Sequence, residues 1–259
     1  MNDVVRDLTP EEIEFYLDHG WVHAPNLVDA ACVTRMAEKA AALQQSSGAV
    51  SVGAVAQAFG QNRNLSSSDD DYAAPVFSPT MARNASALLP GGPAVRLQID
   101  NLLIKEPKSG AHGETVFHQD FPWMPMDQSS MLTVWLALVD IPASMGSLRF
   151  YDRSHQYGLL GRSFARDDDD AVTRHPWLTD LELSPPLDLT AGDATIHSAL
   201  TIHGASANQH DDPRLSFAWT YFDAATNYTG SPFKQTDDLG LRVNEPFDHP
   251  AFPIVAGRA

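Results

Sequence analysis

A chain of 259 residues with 43% hydrophobic and 19% charged side chains carries enough apolar content for a sizeable buried core, which excludes global disorder. Its 33 acids against 17 basic residues give a net charge of −16, a field that repels phosphate backbones and anionic membranes, so neither nucleic acid nor a membrane is an expected partner. A single cysteine, Cys32, excludes an intramolecular disulfide and a thiolate zinc cluster and points to a reducing compartment. The opening MNDVVRDLTPEE has no basic stretch leading into an apolar run. No segment approaches the roughly 18 apolar residues of a membrane span, so a soluble cytoplasmic protein is expected.

The segment LTPEEIEFYLDHGWV predicts a short helix: Thr9 caps it, Pro10 suits its first position, Glu12 closes a capping box and Gly20 ends it. Asp29 opens a second helix, in which Val33, Met36, Ala37, Ala40 and Leu43 recur at helical spacing. Residues 46–93 turn to Ser, Gly, Asn, Asp and Pro, and are expected to form a lid or insert. From residue 94 the texture is that of strands: AVRLQIDNLLIK, SMLTVWLALVD, GSLRFYD, LDLTAGDATIHSALTIHG and RLSFAWTYFD are rich in β-branched and aromatic residues between Pro, Gly and Asp turns. Strands after two helices predict an α+β, mainly β protein with a double-sheet jelly roll. One domain over 1–259 is expected, with helices to 45, the lid over 46–93, the core over 94–225 and an extension over 226–259. Within it, the acidic run Asp167 to Asp170 reads as a solvated loop.

A histidine two residues before a carboxylate presents both side chains on one face of a strand, where they can share a metal ion. With 10 histidines and 33 acids in 259 positions, roughly one such pair arises by chance, and this chain has three. His112-Gly-Glu114 lies in the turn-rich PKSGAHGE, and His210-Asp-Asp212 in the polar loop NQHDDP. His118-Gln-Asp120 lies in TVFHQDFPW, where flanking apolar residues fix the pair on a strand and turn Gln119 to the opposite face. The middle pair is therefore preferred.

A facial triad needs a second histidine and open cis positions. GDATIHSALTIHGAS supplies His197 and His203, each of which has a plain alternative as a satisfied core histidine. His203 gains weight from Arg214, 11 positions later, because the NQHDDP turn is expected to return that arginine beside the strand carrying His203. An arginine entering a barrel interior needs a partner, and a carboxylate matches its planar fork.

At this point the chain resembles the phytanoyl-CoA dioxygenase-like iron(II) and 2-oxoglutarate oxygenases. The resemblance runs from LTPEEIEFYLDHGWV through HQD and the tryptophan strand TVWLAL to GSLRFYDRSH, AGDATIHSALTIHGASAN and Arg214. It implies a double-stranded β-helix (cupin-like) core and the use of Fe(II), 2-oxoglutarate and O2. It also implies iron ligands at His118, Asp120 and His203 and a co-substrate carboxylate on Arg214. Asn101 matches a position that often touches 2-oxoglutarate, and Trp135 a tryptophan lining that pocket, with an ordinary core aromatic as its alternative. Two departures stand out. Ala205 replaces a Ser or Thr of the family, so that hydroxyl contact is missing or comes from Thr133 or Thr195. The usual Pro-Gly-Ser-His turn reads Asp152-Arg153-Ser154-His155.

The resemblance implies decarboxylation of 2-oxoglutarate to succinate and carbon dioxide, coupled to oxidation of a small-molecule C–H bond. A carboxylate at Asp120 fills the position that a related halogenase leaves for chloride, so hydroxylation or ring closure is expected. Trp123 and Trp177 are expected to border the pocket, where aromatic faces can stack on sugars. Size and acidity are similar to tailoring oxygenases of actinobacterial antibiotic pathways, including those that close orthoester rings. Two other classes are a redox-neutral, cupin-like isomerase or lyase and a non-catalytic binding module.

Overall fold

The computed structural model describes residues 3–46, 59–108, 113–162 and 170–256. Helix α1 spans Pro10–His19: the Thr9 hydroxyl accepts from the Glu12 N–H, the Glu12 carboxylate accepts from the Thr9 N–H, and Gly20 ends the helix at φ +80°. Helix α2 spans Ala30–Ser46, and the Asp29 carboxylate accepts from the first-turn N–H groups of Ala31 and Cys32. Val33, Met36 and Ala40 form its buried face, as the spacing predicts. Strand β1, Trp21–Ala24, lies between the helices.

Two antiparallel sheets follow. The larger contains β1, β2 (Phe59–Arg63), β3 (Val95–Lys105), β5 (Met131–Ala137), β7 (Ala194–Ser198), β9 (Arg214–Asp223) and β10 (Ile254–Ala256), in the order β1-β7-β5-β9-β3-β10 with β2 also on β3. The smaller is β4 (Thr115–His118), β8 (His203–Ala205) and β6 (Leu148–Phe150), in the order β4-β8-β6. Alternation along the strands gives the larger sheet two apolar faces. Leu132, Val134 and Leu136 of β5 join Phe217, Trp219 and Tyr221 of β9 against the helices. Trp135, Ala137 and Ala218 face the other way and meet Leu148, Phe150 and Ala205 of the smaller sheet. Each fully buried Leu, Val or Phe among them contributes about 1.5–3 kcal/mol. The result is the double-stranded β-helix expected from the strand-rich sequence.

Three expectations change. The described part of the 46–93 segment carries β2 and two helices, α3 (Asp70–Val76) and α4 (Pro79–Leu88), capped by Asp69 and Ser78. Tyr72, Val76, Met81 and Ala85 are buried in the helix-side core. Helical periodicity is faint there because alanine and threonine share the buried stripe, and Pro79 is a helix-opening residue instead of a loop marker. Residues 47–58 lie outside the described residues. Asp170 is no solvated loop residue: its carboxylate caps a short helix, α5 (Ala171–Arg174), and accepts from the Phe117 N–H. The rest of that acidic run, and His112 of the first histidine pair, lie outside the described residues. Finally, Arg214 does not return beside His203. It opens β9, which pairs with β3 and β5 in the opposite sheet. The Asn208 side-chain amide holds this crossing by donating to the carbonyls of Lys105 and Asp212.

Register then sets the site. In the smaller sheet His118 pairs directly with His203. Between His203 and Ala205, Gly204 packs so closely on β4 that an added methyl group would lie 2.8 Å from the Thr115 carbonyl oxygen and 2.9 Å from the Phe117 ring. Gly204→Val is expected to destabilise the protein by about 1–3 kcal/mol, the usual cost of overpacking, and to weaken metal binding by parting the two histidines. Thermal unfolding with and without metal measures both effects, and wild-type behaviour would contradict this reading.

Candidate metal and co-substrate site

Strand β4 ends at His118, and Asp120 sits in a helical conformation, φ −75° and ψ −40°, at the start of a 3-10 turn over Phe121–Trp123. The pair therefore converges through a turn and does not share a strand face. Gln119 points away, as expected, and staples the neighbouring loop: its amide donates to the carbonyls of Gly158 and Leu200 and accepts from the Leu160 N–H.

His118, Asp120 and His203 each offer one ligand atom, and these atoms lie within 4.8 Å of one another. Asp120 Oδ1 is 3.5 Å from His118 Nε2 and 3.8 Å from His203 Nε2. His118 Nδ1 bonds to the Val116 carbonyl and His203 Nδ1 to the Thr201 carbonyl, at 2.8 and 3.0 Å. A carbonyl only accepts, so both rings keep their proton on Nδ1 and turn an Nε2 lone pair inward. Burial, reinforced by His197 and His118, holds His203 well below the usual histidine range. Burial opposes ionisation of Asp120, yet His203, His118 and His197 together hold its carboxyl well below the usual range. Two imidazoles and one carboxylate suit a non-haem iron(II) ion with open positions. The cluster opens on the Asp120 side, whose side chain keeps 24% exposure against 10% and 6% for the histidines.

On the opposite sheet Arg214 is buried, 5.1 Å above the Trp135 ring, and donates through Nη1 to the Gly146 carbonyl at 2.6 Å. Its Nε has no partner, and among the described residues no carboxylate pairs with it. Burial lowers it to about 9. Asn101 Oδ1 and Thr195 Oγ1 are also among the buried polar atoms without partners. Thr133 behaves differently from the expectation of a co-substrate hydroxyl: its Oγ1 donates to Asp120 Oδ2 at 2.9 Å and contacts Thr220 Oγ1 at 3.1 Å. Strand β5 links the two halves. Thr133 touches Asp120, and Trp135, next on the same face, lies under Arg214. Two residues along a strand span roughly 7 Å, a gap that a five-carbon dicarboxylate bridges.

Lys105 escaped the sequence reading as a site residue. It is fully buried, sits opposite Arg214 in the β3–β9 register and donates to the Ser206 carbonyl at 2.7 Å. Burial and then Arg214 push it down to about 6, with Glu114 opposing. Its signal was a lone lysine closing the apolar run Leu102-Leu103-Ile104. Unfolded lysine holds its proton to about pH 10.4, so between about 6 and that pH the unfolded chain binds the extra proton and stability rises with pH. Below about 6 both states are protonated and Lys105 adds no further slope. Without co-substrate, Lys105→Met is expected to lose this rise, as measured by chemical denaturation across that window; an identical slope would contradict the reading.

The remaining expected residues have structural neighbours. Asp152 accepts from Trp21 Nε1 and contacts His19 Nδ1, while Ser154 Oγ accepts from the Ile202 N–H, so the DRSH turn braces β8. Trp123 lies under Arg162, and Trp177 is part-exposed against Tyr157. A depression of about 380 Å³ lined by Tyr16, Leu88, Ser130, His155, Ser198 and Leu200 includes none of the cluster residues.

A jelly roll holding a His-X-Asp pair, a distant histidine and a buried arginine defines the class of non-haem iron, 2-oxoglutarate-dependent enzymes. The phytanoyl-CoA dioxygenase (PhyH) family model matches residues 16–216, and the chain belongs to that family. A rice protein (Oryza sativa subsp. japonica) named Phytanoyl-CoA dioxygenase 1 is 36% identical over 107 residues, which are 41% of this chain and 37% of the rice protein's length. Among solved structures, the epimerase SnoN in complex with Fe3+, alpha ketoglutarate and nogalamycin RO is 28% identical with a TM-score of 0.77, over 95% of this chain and 98% of SnoN. The carbocyclase SnoK from nogalamycin biosynthesis is 26% identical with a TM-score of 0.75, over 96% and 97%. EvdO2 from Micromonospora carbonacea var. aurantiaca, 19% identical with a TM-score of 0.65 over 90% and 98%, shares the fold. Among the described residues no helix is long and apolar enough to cross a membrane.

Proposed function

We propose that this chain oxidises a C–H bond of a small molecule in secondary metabolism, with His118, Asp120 and His203 as iron ligands and Arg214 as the partner of the 2-oxoglutarate carboxylate. The observation that carries the reading is a buried Arg214 that has no acidic partner among the described residues and lies one strand repeat from the hydroxyl that holds Asp120. When bound, iron and 2-oxoglutarate supply oxidising power from dioxygen, with succinate and carbon dioxide released. The chain's own residues position and exclude. Arg214 neutralises the distal carboxylate, Asn101 and Thr195 have unused polar atoms facing no protein partner, and Trp135 closes the floor of the pocket against water.

The outcome on the substrate is broader than hydroxylation. SnoN is named an epimerase and SnoK a carbocyclase, so ring closure or inversion at a carbon of a sugar-bearing natural product stands beside hydroxylation. A redox-neutral isomerase without co-substrate would leave Arg214 buried for no purpose. Succinate release measured across glycosylated and aglycone natural products, with iron and 2-oxoglutarate present, decides between them. Substrate-dependent succinate is expected; product without 2-oxoglutarate consumption would refute the reading.

A further inference from the structure

Asp120 presents its two oxygens to different neighbours. Oδ1 faces the Nε2 atoms of His118 and His203. Oδ2 accepts from Thr133 and lies 3.4 Å from His197 Nε2. His197 is 1% exposed, and neither of its ring nitrogens has a hydrogen-bond partner. Its ring lies 4.1 Å from that of His203 and 5.5 Å from Phe150. The position belongs to β7, whose other buried residues are Ala194, Thr195 and Ile196. An apolar residue there would bury no unpaired nitrogen, so the imidazole needs a reason to be present.

The tautomer supplies one. A neutral imidazole carries a single N–H. With the proton on Nε2, a donor faces the Asp120 oxygen and only an Nδ1 lone pair stays unpaired. With the proton on Nδ1, a donor is orphaned and two lone pairs oppose each other across 3.4 Å.

We propose that His197 is a positioning residue for Asp120. Its Nε2–H, with the Thr133 hydroxyl, holds Oδ2 away from the ion, so the carboxylate binds through Oδ1 alone and leaves the remaining coordination positions clear. The 3.4 Å gap is longer than a formed N–H···O bond and closes when Asp120 takes up its ligand position. This inference rests on the ligand assignment proposed above.

The test measures cobalt(II) affinity and the visible spectrum of the cobalt-loaded protein for wild type, His197→Phe, His197→Gln, Asp120→Ala and the His197→Phe/Asp120→Ala double variant. In His197→Phe the affinity is expected to fall about 10–100-fold, as for other outer partners of metal ligands, and the band intensity to change as Asp120 becomes bidentate. His197→Gln, which keeps an N–H donor, recovers most of the affinity, and the double variant binds no worse than Asp120→Ala. Full affinity with an unchanged spectrum in folded His197→Phe overturns the inference. So does a further loss in the double variant, which would mean that His197 acts on the ion directly. An independent readout needs no variant: in the zinc-loaded wild type, nitrogen-15 NMR is expected to show His197 protonated on Nε2, and an Nδ1–H form overturns the inference even if His197→Phe does not fold. Cobalt binding by Asp120→Ala at wild-type strength would instead bring down the ligand assignment itself.

Discussion

Arg214→Met is expected to make the protein more stable in the absence of co-substrate and to remove its response to 2-oxoglutarate. The wild-type guanidinium is buried with one hydrogen bond and no acid partner, so its charge is incompletely compensated. Exchanging buried ions for apolar residues of similar volume is neutral or stabilising by about 1–4 kcal/mol. The charge penalty is present at every pH below the lowered value of about 9, so the gain appears throughout the neutral range. Binding behaves oppositely. Truncating one partner of a buried charge pair costs about 2–5 kcal/mol, so 2-oxoglutarate affinity should fall from roughly 30-fold to several thousand-fold. Thermal unfolding with and without 2-oxoglutarate, paired with anaerobic calorimetry, reads both signs. A variant that is destabilised without ligand, yet still stabilised by 2-oxoglutarate, would show that Arg214 serves packing and not co-substrate.

Asp120→Ala has the second large effect. Removing the carboxylate leaves two imidazoles and no anionic ligand for a divalent ion. Loss of an outer partner costs about 10–100-fold in metal affinity, and loss of the ligand itself is expected to exceed that range. Anaerobic wild-type protein with iron(II) and 2-oxoglutarate should show a weak visible charge-transfer band that Asp120→Ala lacks. Thr133→Val offers an internal comparison, because it removes the 2.9 Å hydrogen bond to Oδ2, along with the contact to Thr220, while keeping the carboxylate, and should retain the band with weakened metal affinity. An undiminished band in Asp120→Ala would take Asp120 out of the ligand set.

These two residues also differ in how far local sequence reveals them. Thr9, Pro10, Glu12 and Gly20 specify α1 through contacts within a few positions, and Val33, Met36 and Ala40 mark the buried face of α2 by period alone. The strand segments of the core and the HQD pair are equally local, since apolar alternation and a two-residue spacing survive without knowledge of the fold. The α3 and α4 helices are not, because alanine and threonine faces become core only when a sheet covers them. Neither is Asp120's true setting, a turn after the strand that brings its carboxylate between two histidines.

The residues alone singled out the HQD pair and left His197 and His203 open, and it was the family resemblance that named His203 and the role of Arg214. Tertiary structure decided the rest. The crossing after Asn208 sends Arg214 to the sheet opposite His203 and sets it beside Lys105. Thr133 is turned from co-substrate to Asp120, and His197 is placed on the same carboxylate from β7. Those assignments depend on register between strands far apart in sequence. Which of two similar histidines meets a carboxylate's inner or outer oxygen is set by that register, and no local pattern encodes it.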